Sequence, residues 1–262
     1  MSKTILITGS TDGIGQLTAK KLAAEGHTVL LHGRSAEKLS KAERQIEGNT
    51  ETYVADLTSE LDVAGLAEAI LAKHERLDVL INNAGVLRMA APILDSGLDA
   101  RFVVNTFAPY ILTLRLLSII PKDGRVVNLS SAAQAPVDTQ AMLGNRQLDH
   151  MGAYAQSKLA ITIWTREMAK EMPDGPQLIA VNPGSLLASN MVKGGFGVEG
   201  NDLSIGADIL CEAALGARFA NASGLYFDND SGQFNEPHAA ALDADHSAAV
   251  MLAIRKYVSE YL

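Results

Sequence analysis

Tyr154 and Lys158 stand four residues apart, so on a helix they share a face, one turn from each other. A phenol beside an ammonium is an acid–base device. Free tyrosine titrates near pH 10 and is a poor base at neutral pH, but a nearby cation favours its phenolate. Lowering it by about three units takes roughly 4 kcal/mol of differential interaction. Lys158, helped by a second positive charge, can supply that in a partly desolvated site. Alone, Tyr-x-x-x-Lys is a common chance match on a surface helix. Its surroundings give it weight. Ser130 and Ser131 end one apolar run, and Asn82-Asn83-Ala84-Gly85 follows another. Asn105 falls inside a helical pattern, Val104-Asn105-Thr106, an odd place for a plain surface amide.

A second stretch, residues 4–15, reads T-I-L-I-T-G-S-T-D-G-I-G. Its first five residues, ending at Thr8, are apolar and β-branched, as in a buried strand. Gly9, Gly13 and Gly15 follow, with Ser10, Thr11 and Asp12 among them, and a helical pattern starts at Ile14 and Leu17. Strand, glycine turn and helix N-terminus in that order make a seat for a pyrophosphate. Glycines let the backbone approach the phosphates, and the helix end offers unpaired N–H groups and a positive dipole. The spacing is G-x-x-x-G-x-G rather than G-x-G-x-x-G, and a glycine-rich structural turn is the plainer alternative.

Gly33-Arg34-Ser35 ends the next strand pattern. A dinucleotide fold that prefers NAD carries an acid about 20 residues beyond its glycines, on the ribose hydroxyls. That acid is absent, and a guanidinium suits a 2′-phosphate. NADP(H) is therefore expected as the preferred cofactor, with NAD(H) second, and its cationic nicotinamide is the further charge that would act on Tyr154. The plain alternative has Arg34 solvating the helix that follows. Asp56, beside Leu57, comes after the third strand, where its carboxylate accepts from an adenine amino group or simply opens a helix.

These residues need a scaffold, and the chain supplies one by alternation. Strands are expected at residues 28–33, 50–55, 79–82, 125–129, 178–182 and 224–227, besides the first. Helices are expected at 14–25, stopped by Gly26, and at 35–46, 98–117, 154–172 and 243–261. Another follows Ser59 and Asp62, a capping pair, with Val63, Leu66, Ala67 and Ile70 on one face. Such alternation implies an α/β fold, a Rossmann-type doubly wound parallel sheet of about seven strands with helices on both faces. It is expected as a single domain over residues 1–262. Ligands of such sheets bind outside the carboxyl ends of the strands, where the polar residues above all fall.

Thr8-Gly9-x-x-x-Gly13-x-Gly15, Asn82-Asn83-Ala84-Gly85, Asn105, Ser131, Tyr154-x-x-x-Lys158 and Pro183-Gly184 occur in the order of the short-chain dehydrogenase/reductase family, which the chain resembles over essentially its whole length. The resemblance implies that Ser131 hydrogen-bonds the substrate oxygen and Tyr154 exchanges its proton. It implies that Lys158 holds the nicotinamide ribose and tunes Tyr154, and that Asn105 anchors a proton-relay water. Ser131 fits better than Ser130, because the family's serine is normally the later of such a pair. Cofactor contacts are implied for Thr8 and the turn from Gly9 to Gly15, for Arg34, Ser35, Asp56 and Leu57, and for Asn83, Ala84 and Gly85. Pro183, Gly184 and Leu186 complete the set, Leu186 against the nicotinamide. Asp12 stands where many NADP members carry a basic residue, and Ala188, next to Ser189, replaces a usual threonine. Between Ser131 and Tyr154 lie 22 residues, more than in most members. This connection, with Ser157-Lys158-Leu159-Ala160, is similar to the retinol-dehydrogenase-like branch.

With 47% hydrophobic and 20% charged residues, the 262-residue chain can bury a sizeable core. A net charge of −8 argues against a nucleic-acid or anionic-membrane partner. One cysteine, Cys211, excludes an internal disulfide framework and a multi-Cys metal site, and its apolar surroundings suit a core thiol. The histidines are scattered, so no metal is expected. Met1-Ser2-Lys3 enters the first strand at once and no apolar run reaches bilayer-spanning length, so neither signal peptide nor membrane span is expected. A cytoplasmic homo-oligomer, dimer or tetramer, acting on a small carbonyl or alcohol substrate is the resulting expectation. The connection at 135–152 is expected to cover the substrate pocket, with His150 a solvent-exposed loop histidine. Gly194-Gly195-Phe196-Gly197, within 191–201, suits a lid. Trp164 is expected in the core. Two functions fit: an oxidoreductase moving a hydride between NADP(H) and an alcohol or carbonyl, and a catalytically silent dinucleotide-binding regulatory module. The complete set Asn105, Ser131, Tyr154 and Lys158 favours the enzyme.

Overall fold

The central strands are apolar at successive positions because both of their faces are covered. Leu6 enters one core with Leu30, Leu80, Val126 and Leu178, while Ile5 and Ile7 enter the other with Val29, Leu31, Ile81 and Val127. The two-residue period of a strand thus builds two cores from one sheet. The computed structural model describes residues 1–185, 187 and 200–262. Leu186, Ala188, Ser189 and Gly194-Gly195-Phe196-Gly197 lie outside the described residues.

The strands are β1 (Thr4–Ile7), β2 (Thr28–Gly33), β3 (Asn49–Val54), β4 (Val79–Asn82), β5 (Arg125–Leu129), β6 (Gln177–Asn182), β7 (Tyr226–Asp228) and β8 (Gln233–Asn235). They form one sheet in the order β3-β2-β1-β4-β5-β6-β7-β8. β1 to β7 pair in parallel, and β8 returns antiparallel to β7. The helices are α1 (Gly13–Ala24), α2 (Ala36–Glu43), α3 (Glu60–Leu71), α4 (Ala100–Phe102), α5 (Ala108–Leu116), α6 (Thr139–Met142), α7 (His150–Glu171), α8 (Leu203–Leu215) and α9 (Ala244–Val258). A π-helical turn, Val103–Phe107, joins α4 to α5. Side chains of α3, α5, α7 and α9 fill the core around Leu6, and those of α1, α2 and α8 fill the other. The order reverses between β1 and β4, which leaves a crevice at their carboxyl ends.

Several expectations need correction. An eighth strand closes the sheet, its Phe234 opposite Phe227 in the ladder, with the ring centroids 5.1 Å apart. The run around Cys211 belongs to helix α8, which Asp202 caps by accepting from Ser204 N–H at 2.8 Å. Cys211 is half-buried against the core rather than inside it, and this burial pushes its thiol up to about 12. α7 starts at His150, because Asp149 caps it by accepting from Gly152 N–H at 2.7 Å, so His150 is exposed on a helix rather than on a loop. The stretch Ala100–Ile119 is long and apolar enough to cross a membrane by length and composition, and an 18-residue window of it is 72% buried inside the fold.

Candidate active site

A cavity of about 810 Å³ opens at the crevice. Its walls hold Gly9, Thr11, Asp12, Gly13, Ile14 and Gly15 of the glycine turn, with Arg34, Ser35, Asp56 and Leu57 after β2 and β3. Asn83-Ala84-Gly85 after β4 and Pro183-Gly184 after β6 add to them, and Ser131, Tyr154 and Lys158 complete the set. Residues scattered over the sequence are therefore brought to one place.

The turn fits a dinucleotide phosphate. Gly9 has a φ of +66°, and a Cβ there would meet Ala84 Cα at 3.0 Å. One on Gly15 would meet the Gly9 carbonyl at 2.5 Å and strike the Asn83 amide. Side chains at either position would fill the cradle. No acid stands in the first turn of α1, and its residues Gly13, Ile14 and Gly15 line the cavity with the positive end of the helix. Asp12 takes the N-cap position of α1, but its side chain makes no capping hydrogen bond there.

Two of the expected cofactor residues act from behind the wall. Thr8 Oγ1 accepts from the Asn83 and Ala84 N–H groups, both at 3.0 Å. Asn83 Nδ2 returns two bonds, to the carbonyls of Thr8 at 2.8 Å and Gly9 at 3.0 Å. The two loops are clamped together, and Thr8 positions rather than binds. Ser10 is buried outside the cavity wall, its Oγ accepting from His32 N–H at 2.9 Å. It therefore belongs to the β2 contact and not to the expected ligand surface.

His32 was missed by sequence reasoning and has a defined job. Its Nδ1 accepts from Gly9 N–H at 3.1 Å, and its Nε2 faces the Ala55 carbonyl at 3.2 Å. A backbone N–H can only donate and a carbonyl only accept, so the ring is neutral with its proton on Nε2. Burial pulls its pKa down to about 4.

Around Tyr154, helix α7 is fixed first. Ser130 Oγ donates to the Lys158 carbonyl at 3.2 Å and sits 2.6 Å from Thr162 Oγ1. That commits Ser130 to packing α7 on β5. Ser131, the next residue, reaches Tyr154 by a hydrogen bond. Lys158 Nζ donates to the Leu129 carbonyl at 2.7 Å and lies 5.7 Å from the centre of the Tyr154 ring. Burial pulls the Lys158 ammonium down to about 8. Burial also pushes the Tyr154 phenol up, and the Ser131 hydrogen bond only opposes this. The expected lowering of Tyr154 is thus not produced by the chain's own groups, and at neutral pH the phenol keeps its proton.

Asn105 is at the centre of the π turn, buried and outside the cavity wall. Its Oδ1 accepts from Val86 N–H at 2.8 Å, and its Nδ2 donates to the Val86 carbonyl at 3.0 Å and to Ser157 Oγ at 2.9 Å. The side chain ties the loop after β4 to α7, with both Nδ2 hydrogens and one Oδ1 lone pair engaged. Asn82 is likewise structural: its Nδ2 donates to Asn128 Oδ1 at 2.8 Å and Thr113 Oγ1 at 3.2 Å. Trp164 is fully buried in the core, edge-on to Tyr110 at 5.3 Å.

Of the connection at 135–152, Met151 lines the cavity, and Ala132 and Ala133, just before the connection, do so too. Two cations in the wall escaped sequence reasoning. Lys38 lies one turn past Arg34 on exposed α2, whose N-cap Ser35 accepts from Lys38 N–H at 3.3 Å. Arg88 lies in the loop after β4. In sequence both read as ordinary solvated charges. No group of His, Cys, Asp and Glu among the described residues could hold a metal.

A family model described as short chain dehydrogenase matches residues 3–195. The chain belongs to the short chain dehydrogenase family. Retinol dehydrogenase 13 of Homo sapiens is 31% identical over 253 residues, covering 86% of this chain and 76% of the relative. This places the short chain dehydrogenase in the retinol-dehydrogenase-like branch. It spans between 58% and 64% of the mouse Retinol dehydrogenases 13 and 12 and the bovine Retinol dehydrogenase 12. Its fold matches the crystal structure of an uncharacterized protein from Mycobacterium Paratuberculosis with a TM-score of 0.82 at 26% identity, over 98% of this chain and 93% of the other. A metagenomic short-chain oxidoreductase in complex with NADP matches with a TM-score of 0.62 at 30% identity, over 81% and 90%. An oxidoreductase that binds a nicotinamide dinucleotide is the activity this family membership carries.

Proposed function

We propose that the chain interconverts an alcohol and a ketone or aldehyde with NADP(H), using Tyr154 as the proton donor and acceptor. One observation carries the reading: Tyr154, hydrogen-bonded to Ser131 and one turn from buried Lys158, opens into the same cavity as the glycine cradle. A bound nicotinamide supplies or accepts the hydride. Ser131 orients the substrate oxygen by its hydroxyl. Tyr154, protonated at neutral pH, donates to that oxygen as negative charge develops on it, and takes the proton back in the alcohol-to-carbonyl direction. Lys158, held on the Leu129 carbonyl, places its positive charge beside the phenol and favours the phenolate left behind.

NADP(H) is favoured over NAD(H) by Arg34 and Lys38. Both line the cavity wall and neither makes an ion pair with another described residue. A guanidinium fork and an ammonium suit the dianionic 2′-phosphate. The NADP complex of the metagenomic relative supports this choice. The test is NADPH oxidation followed against a panel of ketones, quinones and aldehydes, repeated with NADH. Turnover of at least one carbonyl with NADPH, at higher kcat/KM than with NADH, is expected. A protein that binds NADPH and turns over nothing in the panel contradicts the reading.

A further inference from the structure

Among the described residues, the cavity wall carries four cations, Arg34, Lys38, Arg88 and Lys158, against two carboxylates, Asp12 and Asp56. The chain as a whole has a net charge of −8. Positive charge is therefore concentrated in the cleft of an acidic protein, where low-dielectric walls focus its field. In the function proposed above, Arg34 and Lys38 meet a 2′-phosphate and Lys158 serves Tyr154. Arg88 is left without a role.

Its place in the fold is set by its neighbour. The Leu87 carbonyl accepts from Arg101 Nη1 at 3.5 Å, and the same nitrogen lies 2.7 Å from His150 Nδ1. His150 begins α7, one turn before Tyr154. Arg88 is thus tied through the backbone to the Tyr154 end of the cavity. Arg101 cannot itself serve a ligand: it is 1% exposed and paired with Asp99 through two bonds, at 2.5 and 2.8 Å. Arg88 is the opposite case, exposed, in the cavity wall, and without an ion pair or hydrogen bond among the described residues. Val86, Leu87, Val104 and Met151, contributed to the wall by the same elements, are apolar.

We propose that Arg88 is a specificity-determining residue and that the preferred substrate joins its carbonyl or alcohol to an apolar body bearing an anion, a carboxylate or a phosphate. A guanidinium pairs such a group through two parallel N–H bonds, and apolar walls accept the body. The inference rests on the oxidoreductase reading and deepens it.

The experiment compares para-formylbenzoate with its uncharged methyl ester, using NADPH and the parent, Arg88→Ala and Arg88→Glu proteins. The ratio of kcat/KM for the carboxylate to that for the ester should fall about tenfold or more in Arg88→Ala, through KM, and further in Arg88→Glu; a charged hydrogen bond of about 1.5–3 kcal/mol sets that scale. The NADPH dissociation constant, from nucleotide fluorescence, should not move. A ratio unchanged by either substitution overturns the proposal, and so does a matched loss of NADPH affinity, which would assign Arg88 to the cofactor. If the parent reduces neither aldehyde, the oxidoreductase reading is at fault instead. Calorimetric binding of para-formylbenzoate to the NADPH complex then decides: a loss of about tenfold in Arg88→Ala upholds the anion site, and equal affinity overturns it.

Discussion

Lys158 Nζ donates to the Leu129 carbonyl at 2.7 Å, so the ammonium one turn from Tyr154 is anchored to the last residue of β5. The anchor keeps the charge within 5.7 Å of the phenol ring but leaves it desolvated, and its pKa is pulled down to about 8. The ammonium is complete below that value and is lost as pH rises through it. Carbonyl reduction is therefore expected to decline above about pH 8, and a pH profile of kcat/KM checks it. Lys158→Ala should lower both rate and NADPH affinity, since the side chain serves both. Unchanged activity to pH 10 in the parent would contradict this.

In the proposed reading cofactor choice turns on Arg34 and Lys38, both in the cavity wall. A directly paired cation contributes about 1.5–3 kcal/mol, so the parent should prefer NADPH to NADH by roughly ten- to hundredfold. Arg34→Ala should cut that ratio about tenfold, and Lys38→Ala should cut it again. Dissociation constants for both nucleotides measure it. Asp12 and the net charge of −8 work against a dianion, but charges beyond about 8–10 Å are largely screened at physiological salt.

His32 makes acid stability a reporter of the glycine turn. Its folded pKa of about 4 lies below the ordinary 6.5, so the unfolded chain binds the extra proton between those values. The contribution to stability is complete above about pH 6.5 and falls as pH drops toward 4, by on the order of 3 kcal/mol. His32→Asn, which keeps an acceptor near Gly9 N–H, should remove that acid-side loss. Urea unfolding at pH 7 and pH 4.5 tests this: equal pH dependence in both proteins would contradict it.

Asn105→Ala leaves the Val86 N–H and carbonyl without their side-chain partner in a part-buried setting. A cost of about 1–3 kcal/mol is expected, lowering Tm by several degrees along with turnover. Lost turnover at an unchanged Tm would instead give Asn105 a direct part in the chemistry.

What sequence made legible follows from chemistry that is local. The glycine turn, the Tyr154–Lys158 spacing, the Ser59–Asp62 cap and the alternating apolar runs each declare themselves within a few residues. Ser59 Oγ accepts from Asp62 N–H at 3.2 Å as the pattern required. What stayed hidden depends on partners far along the chain. His32 meets Gly9 across 23 residues and Asn105 meets Ser157 across 52. The shift of Tyr154 depends on how deeply α7 is buried, which no spacing encodes. β8 is three residues long, and its pairing depends on β7 being there to receive it. Lys38 and Arg88 gain meaning only once the cavity exists around them.

Tyr154→Phe is the most direct test, because it removes the transferable proton and little else. NADPH oxidation on the best carbonyl of the panel should fall by about 10²–10⁴-fold, the usual share of a general acid, while the NADPH dissociation constant stays within about twofold of the parent. Full turnover by Tyr154→Phe on that substrate would contradict the assignment of Tyr154 as the acid.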